Sequence, residues 1–203
     1  MSLFKKIFGS KSDDVEKESK SSERGRYMPE IKLPIDEKFT INFKANGGKF
    51  LYCDDLDEIF SNLDNIIVEN EWHDKKILVL DKNLEDKFKN SKIEFTNKIT
   101  EATILITTCE NLIANDGSIL ISSSQIFEKK LPELPINFIV YATTSQITEN
   151  IGEGLRGIKS KNKQKIPTNI TTIKHFKSTN DEKDFLSYGS SSKNLYLLLL
   201  EDL

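Results

Sequence analysis

Two carboxylates, Glu110 and Asp116, flank a short stretch of this sequence that reads as a β-hairpin, CENLIANDGSILIS. Paired carboxylates beside a cleft can work as acid and base when their surroundings push their pKa values apart. Glu110 is therefore the candidate catalytic residue, and the pair is a candidate ligand contact. Asn111, Asn115, Gly117 and Ser118 belong to the same candidate set, since amide, hydroxyl and bare backbone groups suit an oxygen-rich ligand. The plain alternative gives Asp116 to the turn and leaves Glu110 at a solvated strand position. His175 joins the ligand set because it ends a strand-like run, where a parallel sheet presents groups to a ligand. His73, in EWHDKK, reads as an exposed loop residue, and neither histidine has Asp or Cys at a triad or metal-site spacing. Cys109 would need an activating base or a helix N-terminus to act as a nucleophile, and reads better as a small buried residue.

A second cluster is cationic. The run RGIKSKNKQK carries Arg156, Lys159, Lys161, Lys163 and Lys165 with no acidic residue. Lys161, Lys163 and Lys165 are the candidate anion-binding residues, able to gather a phosphate, a CoA tail or RNA by charge from a loop before Pro167. No aromatic residue is interleaved for base stacking, so a solvated loop is the simpler reading and nucleic acid is not an expected partner. The glycines of NIGEGLRG do not follow a strand at G-x-G-x-x-G spacing, which argues against a dinucleotide site and for a weakened or ended helix. Cys53 and Cys109 lie far apart and outside any C-x-x-C run, so neither a metal nor a cofactor is expected.

The scaffold for these groups is bounded by composition. The chain has 203 residues, 37% hydrophobic and 30% charged, with a net charge of −3 and a mean hydropathy of −0.44. That balance fits one globular domain with a polar tail, and excludes a protein drawn to nucleic acid or anionic lipid by global charge. The first ten residues lack the apolar core of a secretory signal, so the cysteines are expected as reduced thiols in the cytoplasm. Residues 1–30 read as a short amphipathic tip followed by a disordered tether, and 31–203 as the folded domain. In the tip, Leu3, Phe4, Ile7 and Phe8 sit around Lys5 and Lys6 and could make weak contact with a membrane surface or a partner. The tether, 11–26, is Ser-rich and densely charged.

From Pro34 onward helices and strands alternate. A helix carrying Ile35, Phe39, Ile41 and Phe43 should stop at Gly47-Gly48 in a left-handed cap, followed by a strand over 49–53. Asp54 or Asp55 can cap a helix carrying Leu56, Ile59, Phe60 and Leu63. Strands follow at 77–80 and 92–96 around a short helix at 83–90. Two β-rich runs, 103–113 and 118–122, meet at Asn115-Asp116-Gly117, a hairpin turn that needs positive φ. A strand at 136–142, a helix over 145–158 capped by Thr144 or Ser145, a strand at 170–175 and a short helix at 181–186 complete the alternation. The run NLYLLLL, 194–200, is apolar on both faces and suits a central strand. The fold class is α/β: one three-layer domain with a mostly parallel sheet and an inserted hairpin.

Four of these segments resemble the lactate-utilisation (LUD) domain family, in particular its LutC-like branch. The helix ending in Gly-Gly and leading into KFLYC is similar to the family's opening unit. The stretch CENLIANDGSILIS resembles its A-D-x-x-I-A-E-T-G-T-L-V-L hairpin, with Glu110 at the acidic position, Ala114 at the alanine, Gly117 at the turn glycine and Ser118 at the hydroxyl residue. The segment LPELPINFIVYATTSQI is similar to the family's L-P-P-x-H-I-V-V-V run, with Asn137 where histidine is common. YGSSSKNLYLLLLED resembles its closing strand. Asn115-Asp116 replaces the usual Glu-Thr, and KHFKSTNDE lacks the glycine, proline and arginine of the family's S-G-P-S-R-T-A-D segment. The resemblance implies a fold like that of the ribose-5-phosphate isomerase and CoA-transferase superfamily. It also implies a cytoplasmic accessory protein of L-lactate oxidation, without a redox cofactor of its own, whose partners would be iron–sulfur-containing lactate-oxidation subunits and a small anionic ligand. Two rivals stand beside this: an enzyme acting on a sugar phosphate or acyl-CoA, and a degenerate member serving only as an interaction protein.

Overall fold

The computed structural model describes residues 33–89, 91, 93–176 and 193–202. The N-terminal tip and tether and the short helix expected at 181–186 lie outside them. From Pro34 onward the chain forms one compact unit.

Helix α1, Ile35–Ala45, buries Phe39 and Phe43 and leaves Ile41 exposed. It is stopped by Gly47 at φ 86°, a left-handed position that a Cβ would strain. Strand β1, Lys49–Cys53, leads to α2, Leu56–Glu69, and the Asp55 side chain accepts from the Glu58 backbone N–H to cap it. Then come β2, Lys76–Val79; α3, Lys82–Phe88; β3, Glu94–Thr96; and β4, Ala102–Thr107.

The long β-rich run splits in two here. After Thr107 the chain leaves the first sheet, and β5, Asn111–Ile113, pairs antiparallel with β6, Ser118–Ile121, in a second one. The hairpin is the expected one, with Gly117 at φ 67°. A single turn, α4, Ser123–Ile126, precedes β7, Asn137–Thr143.

The helix expected over 145–158 is a correction. Residues 144–146 make a 3-10 turn, β8 is Ile147–Thr148, and only then does α5, Ile151–Lys161, begin with Asn150 as its cap. Thr144 and Ser145 are committed to other bonds, and Asn150 supplies the extended backbone and side-chain oxygen that a cap needs. The glycines therefore fall in the first half of α5, and Lys161 is its last residue rather than part of a loop. Strand β9, Thr171–Ile173, and β10, Asn194–Leu200, complete the set.

Six strands form a sheet in the order β1-β10-β7-β4-β2-β3, every pair parallel. Four more form a mixed sheet, β8-β5-β6-β9. Strand β10 is an interior strand, paired on its two edges with β1 and β7, and both of its faces are covered as its apolar run requires. Leu195, Leu197 and Leu199 pack towards α1 and the second sheet, while Tyr196 and Leu198 pack towards α2 and α3. Burying each such leucine contributes about 2 kcal/mol. The second sheet repeats the alternation: Leu112, Ile119 and Ile121 face the main core, while Ile113 and Leu120 lie with Ile158 of α5. The hairpin seen in the sequence is thus the middle of a separate layer clamped between the large sheet and α5.

Candidate ligand site at the carboxyl ends of the parallel strands

In a parallel sheet the carboxyl ends of the strands present loops on one edge, the usual place for a ligand in such folds. The ends of β1, β7 and β10 are level here, with Cys53 beside Leu200 and Leu200 beside Thr143. Each of these strands runs directly into polar residues: Asp54-Asp55 after β1, Thr144-Ser145-Gln146 after β7 and Glu201-Asp202 after β10, with Cys109-Glu110 just beyond the end of β4.

Gln146 organises this edge. Its Nε2 donates to the Cys109 carbonyl at 2.6 Å and the Glu110 carbonyl at 3.4 Å, and its Oε1 accepts from the Thr143 backbone N–H at 2.8 Å. It thus satisfies carbonyls released where the chain crosses from one sheet to the other, and ties the ends of β4 and β7 together. Asn111, 8% exposed, reinforces the tie by donating from Nδ2 to the Gln146 carbonyl at 3.2 Å.

Glu110 is half-buried and held from one side. Ser122 Oγ donates to its Oε1 at 2.6 Å and Gln125 Nε2 at 3.3 Å, while its backbone N–H donates to the Leu120 carbonyl. Gln125 and Ser122 are themselves fixed by a capping box at the start of α4. Among the described residues Oε2 of Glu110 takes no protein partner, so one carboxylate oxygen is anchored and the other is available as an acceptor. On the same edge, after β10, Asp202 accepts from Thr144 Oγ1 at 2.9 Å, from the Ser145 backbone N–H at 2.8 Å and from Ser145 Oγ at 2.7 Å. Tyr52 donates to Glu201 Oε2.

Partial burial would raise the Asp202 pKa, but the bonds from Ser145, Thr144 and Thr143 outweigh it and hold the carboxyl at about 2, below its ordinary 3.8. A depressed carboxylate adds stability that is complete above its unfolded value and is lost as pH falls through the folded one. An NMR titration should therefore place the Asp202 midpoint near 2, and Ser145→Ala should move it up towards the ordinary value. The associated loss of stability falls between about pH 4 and pH 2.

The other carboxylate of the hairpin is elsewhere. Asp116 sits in the turn, at the opposite end of the hairpin from Glu110, and its Oδ1 accepts from the Ser118 N–H at 3.1 Å and Ser118 Oγ at 2.6 Å. Lys174 approaches its other oxygen at 3.7 Å. Asn115 accepts from Lys38 Nζ at 2.5 Å, and Lys38 also pairs with Glu149 at 2.7 Å. The turn is pressed onto α1: Asn42 Nδ2 donates to the Ala114 carbonyl and Asn46 Nδ2 to the Asp116 carbonyl. Glu110 and Asn111 therefore belong to the carboxyl edge, whereas Asn115, Asp116, Gly117 and Ser118 belong to the contact with α1.

His175 is exposed and follows β9, which pairs antiparallel with β6 in the second sheet. The expectation that it ends a parallel strand is thereby corrected. Lys161, Lys163 and Lys165 are exposed at and beyond the end of α5, on the outer side of the second sheet. Ser122, Gln125, Gln146, Ser145 and Asp202 were missed in the sequence; the one local signal was a polar residue directly after an apolar strand, as at 144–146.

Both thiols are buried. Burial pushes the Cys53 thiol up to about 11, the bond from Asn62 opposing it only in part, and burial with the neighbouring Glu110 pushes Cys109 well above the ordinary range. Neither is poised as a nucleophile. Native protein at pH 8 should show slow reaction of both with a thiol reagent, and unfolded protein a fast one; rapid labelling of native Cys109 would contradict its burial. Among the described residues no group of three His, Cys, Asp or Glu side chains converges on a point that could hold a metal ion, and no helix is long and apolar enough to cross a membrane.

These features define a class: an α/β protein with a parallel six-stranded sheet whose carboxyl edge is lined by hydroxyls, amides and carboxylates. The LUD domain family profile matches residues 37–200, and the chain belongs to that family, which is associated with lactate utilisation. The crystal structure of a DUF162 family protein from Deinococcus radiodurans has the same fold, with a TM-score of 0.59 and 12% identity over 83% of this chain and 96% of that one. No curated protein matches the sequence.

Proposed function

We propose that this protein is a LutC-like accessory component of cytoplasmic lactate utilisation that binds a small oxygen-rich anion at the carboxyl edge of the parallel sheet. It would work beside subunits carrying iron–sulfur clusters rather than transfer electrons itself. The reading draws on the family membership and on one observation above all: Glu110 is anchored through Oε1 by Ser122 and Gln125, with Oε2 open as an acceptor. Such an acceptor, on an edge that also carries the Gln146 amide and the Ser145 hydroxyl, suits a ligand that bears a hydroxyl as well as a carboxylate, as a 2-hydroxy acid does. Asp202 already occupies the Ser145 hydroxyl, so the ligand's own carboxylate would compete for it.

A thermal-shift screen of the full chain against L-lactate, pyruvate, sugar phosphates and CoA esters tests this. A ligand at about 100 times its dissociation constant adds about 2.7 kcal/mol, a rise of about 5–10 °C for a domain of this size. The expected result is a shift with L-lactate that Glu110→Gln abolishes, with pyruvate, which has no hydroxyl to donate to Glu110, giving a smaller shift or none. A shift with sugar phosphates or CoA esters alone would favour the enzyme reading, and no shift with any of them would leave the interaction-protein reading ahead.

A further inference from the structure

A cleft of about 420 Å³ opens between β1 and α2, away from the carboxyl edge. That volume lies in the range of small-molecule sites, roughly 300–1,000 Å³. Because α2 runs back along β1, its last turn comes level with the start of the strand. Lys49, the first residue of β1, and Glu69, the last of α2, thus line the same space, with Asn62, Asn65 and Ile66 between them and Tyr196 among the lining residues.

We propose that this cleft binds a small zwitterion, an α-amino acid with an apolar side chain. Lys49 is the anion-binding group. Its ammonium donates to Tyr196 Oη at 2.6 Å and lies 4.2 Å from the centre of the Tyr196 ring. Tyr196 is 2% exposed, and Asn70 bonds its hydroxyl, so the cation rests on a rigid support. Among the described residues no carboxylate lies within 4.0 Å of the Lys49 ammonium, and no cation within that distance of Glu69. Among the described residues, one cleft therefore carries a positive and a negative group with no ion-pair partner. A ligand with a carboxylate at one point and an ammonium at another satisfies both at once. Asn65 and the Asn62 side-chain oxygen supply further polar contacts, while Leu51 and Ile66 receive an apolar side chain.

The same arrangement disfavours other classes. A phosphate dianion would meet the Glu69 carboxylate, and a simple monocarboxylate would leave Glu69 without a partner. A nucleobase would find the Tyr196 ring already covered by Lys49.

Calorimetric titration of the full chain with L-leucine, L-methionine and L-phenylalanine tests the proposal, with isovalerate and isopentylamine as ligands bearing one charge each. At least one amino acid should bind saturably, and the singly charged probes about 10-fold or more weakly. Lys49→Gln and Glu69→Gln should each weaken the amino acid about 10-fold, and Lys49→Arg should retain most of the affinity. Glu69 is exposed, so its substitution keeps the test sound even if Lys49→Gln perturbs folding. Glu110→Gln should leave this binding unchanged, which separates it from the carboxyl-edge site. Absence of saturable binding at about 10 mM of every amino acid, undiminished binding in both glutamine variants, or isovalerate binding as tightly as leucine would overturn the proposal.

Discussion

Replacing Gly117 with alanine should destabilise the protein by about 3–5 kcal/mol, the largest effect expected of a single methyl group in this fold. Two causes add. Gly117 has φ 67°, which costs an L-residue about 1–2 kcal/mol. A Cβ there would also stand 2.3 Å from the Asn42 carbonyl carbon and 2.4 Å from the Phe43 nitrogen. Both are backbone atoms of α1 and cannot swing aside, so either the helix or the hairpin must move. Moving it strains the Asn42 and Asn46 bonds that hold the turn. Chemical denaturation of the variant measures the loss. Gly157→Ala is the control with the opposite sign: it lies inside α5, and nothing stands within 4 Å of its added Cβ. That substitution should raise stability by about 0.5–1 kcal/mol. If both variants shift stability equally, the clash with α1 is not what Gly117 avoids.

Lys193→Met is the second large effect, about 3 kcal/mol or more of lost stability. Lys193 is 4% exposed and lies just before β10. Its ammonium donates to the carbonyls of Leu131 at 2.7 Å, Leu134 at 3.0 Å and Pro135 at 3.0 Å, and sits 5.0 Å from the Phe138 ring centre. These carbonyls belong to the turn that feeds β7. Methionine nearly preserves volume but supplies no donor, so three acceptors lose their partner at about 1–3 kcal/mol for each that stays dry. A loss below about 0.5 kcal/mol would mean that water reaches all three. Urea denaturation of the variant decides between these outcomes through its midpoint at unchanged slope.

Neither effect could be ranked from the sequence alone, although both residues were visible in it. The positive φ of Gly117 was legible because Asn-Asp-Gly between two β-rich runs constrains the turn locally. The clash with α1 was not, since Asn42 lies far away in the chain. The burial of Lys193 was not legible either, since it depends on the β7 and β10 strands lying side by side. The same division holds for the candidate site. Glu110 stood out as a carboxylate beside a hairpin, and its place just beyond the end of β4 came only with the structure. Pairing it with Asp116 treated nearness in sequence as nearness in space, whereas an antiparallel hairpin carries its turn away from its base. The helix expected over 145–158 failed for a related reason: Gln146 and Ser145 read as helix-start residues but are used as bonding groups across strands.

What the sequence determined by itself is what depends on a few neighbouring residues. That covers the parallel α/β class from alternating periodicities, the stop at Gly47, a helix cap at Asp54 or Asp55, the hairpin at Gly117 and the burial of β10 on both faces. The tertiary structure alone decided what depends on chain segments meeting at a distance. It divided the run 103–113 between two sheets, placed Gln146 as the tie between β4 and β7, bound Asp202 to Ser145, and set Lys49 and Glu69 across one cleft. Local propensity acts over a turn or two of chain, while hydrogen bonds and charges act over ångströms in space, and only the folded topology converts one separation into the other.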